Sequence, residues 1–259
     1  MQPEAPPPVL LPPPPAQSGG EAKKKLGVIG TIGALVLKFK TVGLLLLTKG
    51  KLVLLGLTKL NTLLSMLVSI GFYWALYGWK FGLGFVLSIY VHEMGHVIAL
   101  ARYGIPASAP MFIPGFGAFV RLKAYPASPG EDARVGLAGP LYGLGAALAC
   151  MGIGVITGSG LFSALAKVGA WINVFNLIPV WQLDGSRGFR ALTRQHRIYI
   201  AVLSGLLWFW TSETMLVLVA LVAVWRCFTK DQPEQPDNVV CYQFAGLLAA
   251  LSGVYYFTK

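Results

Sequence analysis

The sequence predicts an all-α protein that crosses a membrane several times. Of its 259 residues, 55% are hydrophobic and only 12% are charged, whereas about a quarter of the residues in soluble domains are charged. Apolar runs near the ~20-residue length that a helix needs to cross a bilayer recur along the chain. We therefore expect about six transmembrane helices, and no large soluble domain fits beside them.

The N-terminal part, residues 1–59, is predicted to lie outside the transmembrane helices. Residues 1–25 are Pro-rich and end in a basic cluster, so they cannot bury a core and are expected to form a disordered tail. Residues 26–59 are apolar but interrupted by lysines, which favours a segment lying at the membrane interface. The alternative is an additional span whose lysines reach out to the headgroups.

Six apolar segments follow as predicted spans. The first ends in aromatic residues that are typical of a membrane interface. The fifth is interrupted at residues 211–213, so it forms either one long span or a short helical hairpin, and we favour the hairpin. The segments cover residues 60–79, 81–101, 135–157, 161–183, 198–226 and 239–257.

The formal net charge of +11 indicates membrane orientation and not nucleic-acid binding. The basic residues lie between apolar segments, without the basic, aromatic-studded face of a nucleic-acid-binding protein. Loops rich in Lys and Arg stay in the cytoplasm, which places the N-terminus there. No clear targeting segment is present, which favours a bacterial inner membrane.

The second span contains the motif His92-Glu93-Met94-Gly95-His96. Residues i and i+4 share one helix face, so both imidazoles can bind one metal ion. The glutamate beside the first histidine is placed to accept a proton from an attacking water molecule. Ionisable side chains at membrane depth cost about 2.5–3.5 kcal/mol each on insertion scales, which makes this group a functional candidate and not a core filler.

A catalytic zinc ion takes three protein ligands and keeps one position open. A third histidine does not follow the motif, because Arg102 stands where soluble proteases of one class have it. Asp184 is the best third ligand, since it stands alone after an apolar stretch and before Gly185. Two carboxylates, Glu93 and Asp184, would neutralise one Zn²⁺ per chain. The alternative is that Asp184 only forms an Asp-Gly turn.

Three further residues are candidates for contact with a substrate. Asn173 and Asn176 are one helical turn apart, and they could bond either the backbone groups that Pro179 leaves open or a bound substrate. Residues 109–120 are apolar around a Pro-Gly turn and predict a re-entrant β-hairpin near Phe116, which could offer a strand edge to an unwound substrate. A plain interfacial loop is the alternative.

Together these motifs resemble the site-2 protease family of intramembrane metalloproteases. The resemblance covers roughly residues 60–190 and includes the Asn176-x-x-Pro179-x-x-x-Leu183-Asp184-Gly185 motif and the Gly139-Pro140 pair. It implies a three-helix catalytic core, with His92, His96 and Asp184 as zinc ligands and Glu93 as the catalytic base. It also implies Asn176 on the substrate side and membrane-anchored proteins as substrates. Tyr142-Gly143 stand where many relatives carry an asparagine, and no PDZ or CBS domain fits.

The predicted organisation is a catalytic membrane core over residues 60–195 and C-terminal helices over residues 196–259. The rival functions are a membrane metal carrier or sensor, a catalytically silent scaffold and a structural zinc site. A carrier does not need Glu93, and a structural site has no open position. The partners expected are a membrane-anchored protein and the bilayer, without nucleic acid. The sequence leaves the oligomeric state open.

Overall fold

The computed structural model describes residues 59–120, 124 and 126–258. The predicted tail over residues 1–25 and the interfacial segment over 26–59 therefore lie outside the described residues, apart from Lys59, which begins the first helix. The described chain is helical except for one small sheet. Its elements are α1 (Lys59–Tyr77), α2 (Trp79–Arg102), β1 (Met111–Ile113), β2 (Gly117–Phe119), α3 (Pro129–Thr157), α4 (Gly160–Asn176), α5 (Asp184–Phe189), α6 (Arg194–Thr211), α7 (Thr214–Arg226) and α8 (Asn238–Phe257).

Four of the described helices, α1, α2, α3 and α8, are long and apolar enough to cross a membrane. They coincide with four of the six predicted spans, and the chain is a multi-pass integral membrane protein. The helix α3 begins at Pro129, six residues before the predicted span. Ser128 caps it by accepting a hydrogen bond from the backbone N–H of Glu131 over 3.2 Å, and a proline at the first helical position adds to this start signal.

The remaining two predicted spans are shorter or divided in the structure. The fourth predicted span was wrong in its extent, because α4 ends at Asn176 and not at residue 183. Pro179 cannot continue a helix, since it lacks a backbone N–H and its ring clashes with the preceding turn.

The helical hairpin favoured for residues 198–226 is confirmed: Ser212 has a left-handed φ of 58° between α6 and α7.

The small sheet is an antiparallel hairpin between α2 and α3. Phe112 pairs with Ala118, and the N–H of Phe116 closes the turn onto the carbonyl oxygen of Ile113 over 3.0 Å. Phe112 is fully buried and donates its N–H to Oγ of Ser65 on α1 over 3.2 Å. The hairpin is thus attached to α1 through β1.

Two apolar clusters hold the helices together. One joins α1, α2, β1 and one face of α4 around Tyr73, Phe85 and Phe112. The other is larger and joins α3 to α8, with the rings of Phe189 and Phe244 in edge contact at 5.1 Å between centroids. The helices α2 and α3 pack along each other between these clusters, and the candidate site lies at that contact.

Candidate metal centre

His92 and His96 lie one turn apart on α2 and direct their Nε2 atoms to the same point. The two Nε2 atoms are 3.2 Å apart, which agrees with the shared helix face that the spacing predicts. Their relative exposures are 6% and 7%. Glu93 is also buried, at 6%. Three ionisable groups therefore lie within the buried part of one membrane helix.

Asp184, the first residue of α5, completes this group. Its Oδ2 lies 3.1 Å from Nε2 of His92, and its Oδ1 lies 3.3 Å from Nε2 of His96. Ligands bonded tetrahedrally at about 2.0–2.1 Å to one ion lie about 3.3 Å from each other. Each histidine faces a different oxygen of Asp184 at about this distance, so the three side chains converge closely enough to share one ion. Among the described residues, this is the group of histidine and carboxylate side chains that could hold a metal ion.

Each histidine is oriented by a hydrogen bond on its other ring nitrogen. Nδ1 of His92 lies 2.7 Å from Oδ1 of Asn173, and Nδ1 of His96 lies 2.8 Å from the carbonyl oxygen of Val135. Both partners are acceptors, so each Nδ1 carries the proton and each Nε2 presents its lone pair to the centre. Asn173 itself donates from Nδ2 to the carbonyl oxygen of Gly169 over 2.7 Å, which fixes its amide.

Two glycines of α3 allow that helix to approach the histidines. A Cβ atom at Gly139 would overlap Nε2 of His96 and would lie 2.6 Å from Nε2 of His92. A Cβ atom at Gly143 would overlap the amide of Asn173. These contacts give a physical reason for the glycine of the Gly139-Pro140 pair, since small residues permit close helix packing in membranes.

The segment carrying Asp184 is held by two arginines from the C-terminal helices. Arg226, at the end of α7, donates from Nη1 to the carbonyl oxygen of Pro179 over 3.2 Å. Arg197, in the first turn of α6, donates from Nη2 to the carbonyl oxygen of Phe189 over 2.8 Å. One bond lies before α5 and the other lies at its end, so the pair fixes the position of this short helix.

Asp231 supplies the negative charge for both arginines. Its Oδ1 lies 3.1 Å from Nη1 of Arg197, and its Oδ2 pairs with Nη2 of Arg226. Burial by itself would raise the pKa of Asp231, but hydrogen bonds from Thr229 and Arg197 and the charges of both arginines hold this pKa below its ordinary value. Arg197 is fully buried, and a buried charge is tolerated only when it is paired and hydrogen-bonded.

A cavity of about 890 Å³ lies beside the centre. It is bordered by Glu93 and by two other residues that the sequence singled out, Asn176 and Phe116. Phe116 is 90% exposed at the turn of the hairpin, and Trp181 faces the same cavity at 87% exposure with a left-handed φ of 51°. Asn173 does not border the cavity but lies behind His92. Its geometry indicates that it orients the histidine.

A polar cluster at the rim of this cavity was not recognised in the sequence. Asp132 accepts from Nε and Nη2 of Arg187 at 2.9 and 2.7 Å, and from Nη1 of Arg190 at 3.1 Å. The cap signal of Ser128 places Asp132 in the first turn of α3, ahead of the span that was predicted to begin at residue 135. The roles of Asn173 and Val135 toward the histidines carry no such local signal, because they depend on contacts between helices.

The fold and this donor set define the class of the protein as a multi-pass membrane protein with an HExxH motif and a candidate metal site. Residues 80–168 match the sequence model of peptidase family M50. Over this segment the chain is thus similar to the family that its motifs resemble, the site-2 proteases. The matched segment includes the motif on α2, the whole of α3 and the first half of α4, but it ends before Asp184.

Curated relatives are similar to this chain as well. Zinc metalloprotease MJ0392 of Methanocaldococcus jannaschii is 28% identical over 119 residues, which cover 44% of this chain and 34% of that protein. Rip3 of Mycobacterium tuberculosis is 32% identical over 142 residues, covering 49% and 36%. EGY2 of Arabidopsis thaliana is 28% identical over 141 residues, covering 38% and 25%. The matches therefore span about a third or less of these relatives, whose names include the words zinc metalloprotease.

Proposed function

We propose that the chain is a zinc metalloprotease that hydrolyses peptide bonds in or near the transmembrane segments of membrane-anchored proteins. The observation that carries the proposal is the convergence of His92, His96 and Asp184 on one point, with buried Glu93 on the same cavity. Two neutral histidines and two carboxylates balance one Zn²⁺, and such a neutral group is the least costly to keep in a low-dielectric site. The names of the relatives support the choice of zinc.

In this proposal the side chains have separate roles. His92, His96 and Asp184 hold the ion, and Asn173 orients His92. When bound, zinc polarises the scissile carbonyl and lowers the pKa of a water molecule. Glu93 accepts the proton from the attacking water and passes it to the leaving amine. Burial excludes bulk water from these residues, so the reaction depends on water that enters through the cavity.

The substrate would bind along the hairpin. A transmembrane helix must unwind before its backbone can be cleaved, and the freed N–H and C=O groups then need partners. Among the described residues β2 pairs with β1 on one edge, and the residues from Gly117 to Val120 border the cavity. An added substrate strand could use the other edge of β2. Phe116 and Asn176 would contact its side chains, and the hairpin would be re-entrant.

The proposed topology keeps the predicted six membrane segments, with α4 as a shorter span and α6–α7 as a hairpin that enters and leaves the membrane on one side. Residues 60–195 form the catalytic core and residues 196–259 the C-terminal helices. The N-terminus lies in the cytoplasm of a bacterial cell, with the protein in the inner membrane. The basic residues at the ends of α2 and α5 support this orientation.

The test measures bound zinc and cleavage in the same purified preparations. We expect about one zinc per chain in the parent and in Glu93→Gln, and loss of zinc in His96→Ala and Asp184→Ala. Glu131→Gln, at the start of α3 and away from the cavity, is the matched control for Glu93→Gln, because a glutamine oxygen can still accept the hydrogen bond that Glu131 accepts from the N–H of Ala127. New protein termini are then mapped in membranes incubated with each variant. Termini that appear with the parent and Glu131→Gln but not with Glu93→Gln would identify substrates.

A metal carrier is the rival that uses the same ligands. It does not need a proton acceptor beside the ion, so Glu93→Gln would retain metal transport across proteoliposomes. Transport by both parent and Glu93→Gln, without new termini, would reject the protease. Zinc binding that is unaffected by Asp184→Ala would reject the ligand set itself.

A further inference from the structure

A second cavity, of about 490 Å³, lies on the opposite side of Gly95 from the metal centre. It is a groove bounded by α2, α3 and α8, and none of the metal ligands lines it. Within the groove, Gly95 and Ile98 come from α2, Leu141 and Leu144 from α3, and Gly246 from α8. These residues are apolar, so most of the groove suits a hydrocarbon chain.

One end of the groove is cationic. Arg102 is the last residue of α2, and Arg134 lies in the second turn of α3. They are the charged side chains among the described residues that line the groove. Arg134 pairs with Asp237 at 2.8 Å. With two arginines and one aspartate, this end carries a net charge of +1.

The charged end and the apolar part of the groove lie at successive depths along the three helices. The beginnings of α3 and α8 lie at the same level, because Arg134 reaches Asp237 at the cap of α8, and the end of α2 lies beside them, because Arg102 and Arg134 line the same groove. Tyr103 and Tyr242 also line this end, as aromatic residues do at a membrane interface. The apolar residues lie one to three turns deeper along each helix.

We propose that this groove binds one anionic phospholipid of the bilayer. The phosphate would lie between Arg102 and Arg134, since guanidinium groups bind phosphate oxygens through paired hydrogen bonds. One acyl chain would lie over Leu141 and Gly246. Basic pockets between transmembrane helices on the cytoplasmic side are known to take anionic headgroups. A whole transmembrane helix of a partner would need more room than this groove has.

The glycines of α8 provide a matched pair of variants. A Cβ atom at Gly246 or at Gly253 meets nothing within 4 Å, so a larger side chain is tolerated sterically at either position. Gly246 lines the groove, whereas Gly253, two turns further along the same helix, does not. Gly246→Leu should therefore fill the acyl-chain region, and Gly253→Leu should leave it open.

The experiment counts bound lipid on the purified full-length protein by native mass spectrometry, with phosphatidylglycerol or phosphatidylcholine added. We expect one tightly retained phosphatidylglycerol on the parent and on Gly253→Leu. Its affinity should fall by about tenfold in Gly246→Leu, because the added side chain competes for the space of the acyl chain. Arg102→Gln should weaken phosphatidylglycerol by about five-fold and phosphatidylcholine by less.

Three results would overturn the proposal. Equal retention by the Gly246→Leu and Gly253→Leu proteins would mean annular lipid only. Equal affinity of the parent for the two lipids would show that the arginines do not select an anionic headgroup. A photo-crosslinker at residue 246 that captures a protein segment and no lipid would assign the groove to a protein partner. Because binding is measured without cleavage, none of these results depends on the protease assignment.

Discussion

The histidine half and the aspartate half of the metal centre are built in different ways. His92 and His96 come from one regular helix, and their spacing follows from its geometry. Asp184 follows a helix break and an irregular loop, and its segment is held by arginines from α6 and α7. The first half is thus determined largely by local sequence, and the second by contacts between distant parts of the chain.

This difference predicts two kinds of failure. Substitutions of the residues that pack against the two histidines should weaken metal binding without unfolding the protein, because α2 and α3 remain packed. Changes in the arginine contacts should lower the stability of the C-terminal helices together with the Asp184 segment. Measuring both metal affinity and melting temperature for each variant separates the two.

The largest effect on metal binding is expected for Gly139→Ala. The added Cβ would overlap Nε2 of His96 and crowd Nε2 of His92, so it occupies the space where the ligands converge. We expect the zinc affinity to fall by at least about 100-fold, since a ligand displaced by 1 Å loses most of its bond to the ion. Competition with a chelator of known affinity measures this change.

The control is Gly145→Ala on the same helix, where a Cβ meets nothing within 4 Å. It removes the same backbone freedom of a helical glycine without approaching the site. The Gly145→Ala protein should bind zinc as the parent does. If Gly139→Ala retains the parent's affinity, α3 does not approach the histidines as described here.

The second prediction concerns the amide behind His92. Asn173→Leu removes the acceptor for Nδ1 of His92, and the loss of such a partner typically costs 10–100-fold in metal affinity. Asn176→Leu is the matched control, because Asn176 borders the cavity and, among the described residues, forms no hydrogen bond with His92, His96 or Asp184. We expect it to keep the parent's zinc affinity. Equal losses in the two variants would contradict a positioning role for Asn173.

The sequence predicted those elements and residues whose signals lie in neighbouring residues, and it failed where the signal depends on contacts between distant residues. The long apolar segments and the histidine pair were found because hydrophobic length and i, i+4 spacing are local patterns. The extent of α4 was wrong, since apolar residues continue to Leu183 although Pro179 ends the helix earlier. The roles of Asn173 and Arg197 could not be predicted, because each depends on a partner many residues away along the chain.

The third prediction concerns the aspartate half. Asp231→Asn leaves Arg197 and Arg226 without their counter-charge, but Asp231 is partly exposed, which reduces the cost to about 1–2 kcal/mol. The melting temperature in detergent should fall by about 2–8 °C. Glu234→Gln, an exposed acid in the same loop, is the control and should melt with the parent. A fall in zinc affinity without a change in melting temperature would contradict the inference that the two arginines fix the position of α5.

The smallest effect is the pH dependence of that same contact. The folded-state pKa of Asp231 lies below its ordinary value of 3.8, so its stabilising contribution is present above the unfolded-state pKa and is lost as the pH falls through the folded-state pKa. The melting-temperature difference between the parent and Asp231→Asn should stay constant from pH 7 to about pH 5 and shrink below about pH 4. Other titrating groups are common to both proteins and cancel in the difference.

Zinc-free protein is used throughout, because protonation of the metal ligands would otherwise release the ion in the same range. A difference that persists unchanged to the lowest pH would show that the carboxylate charge does not stabilise the two arginines.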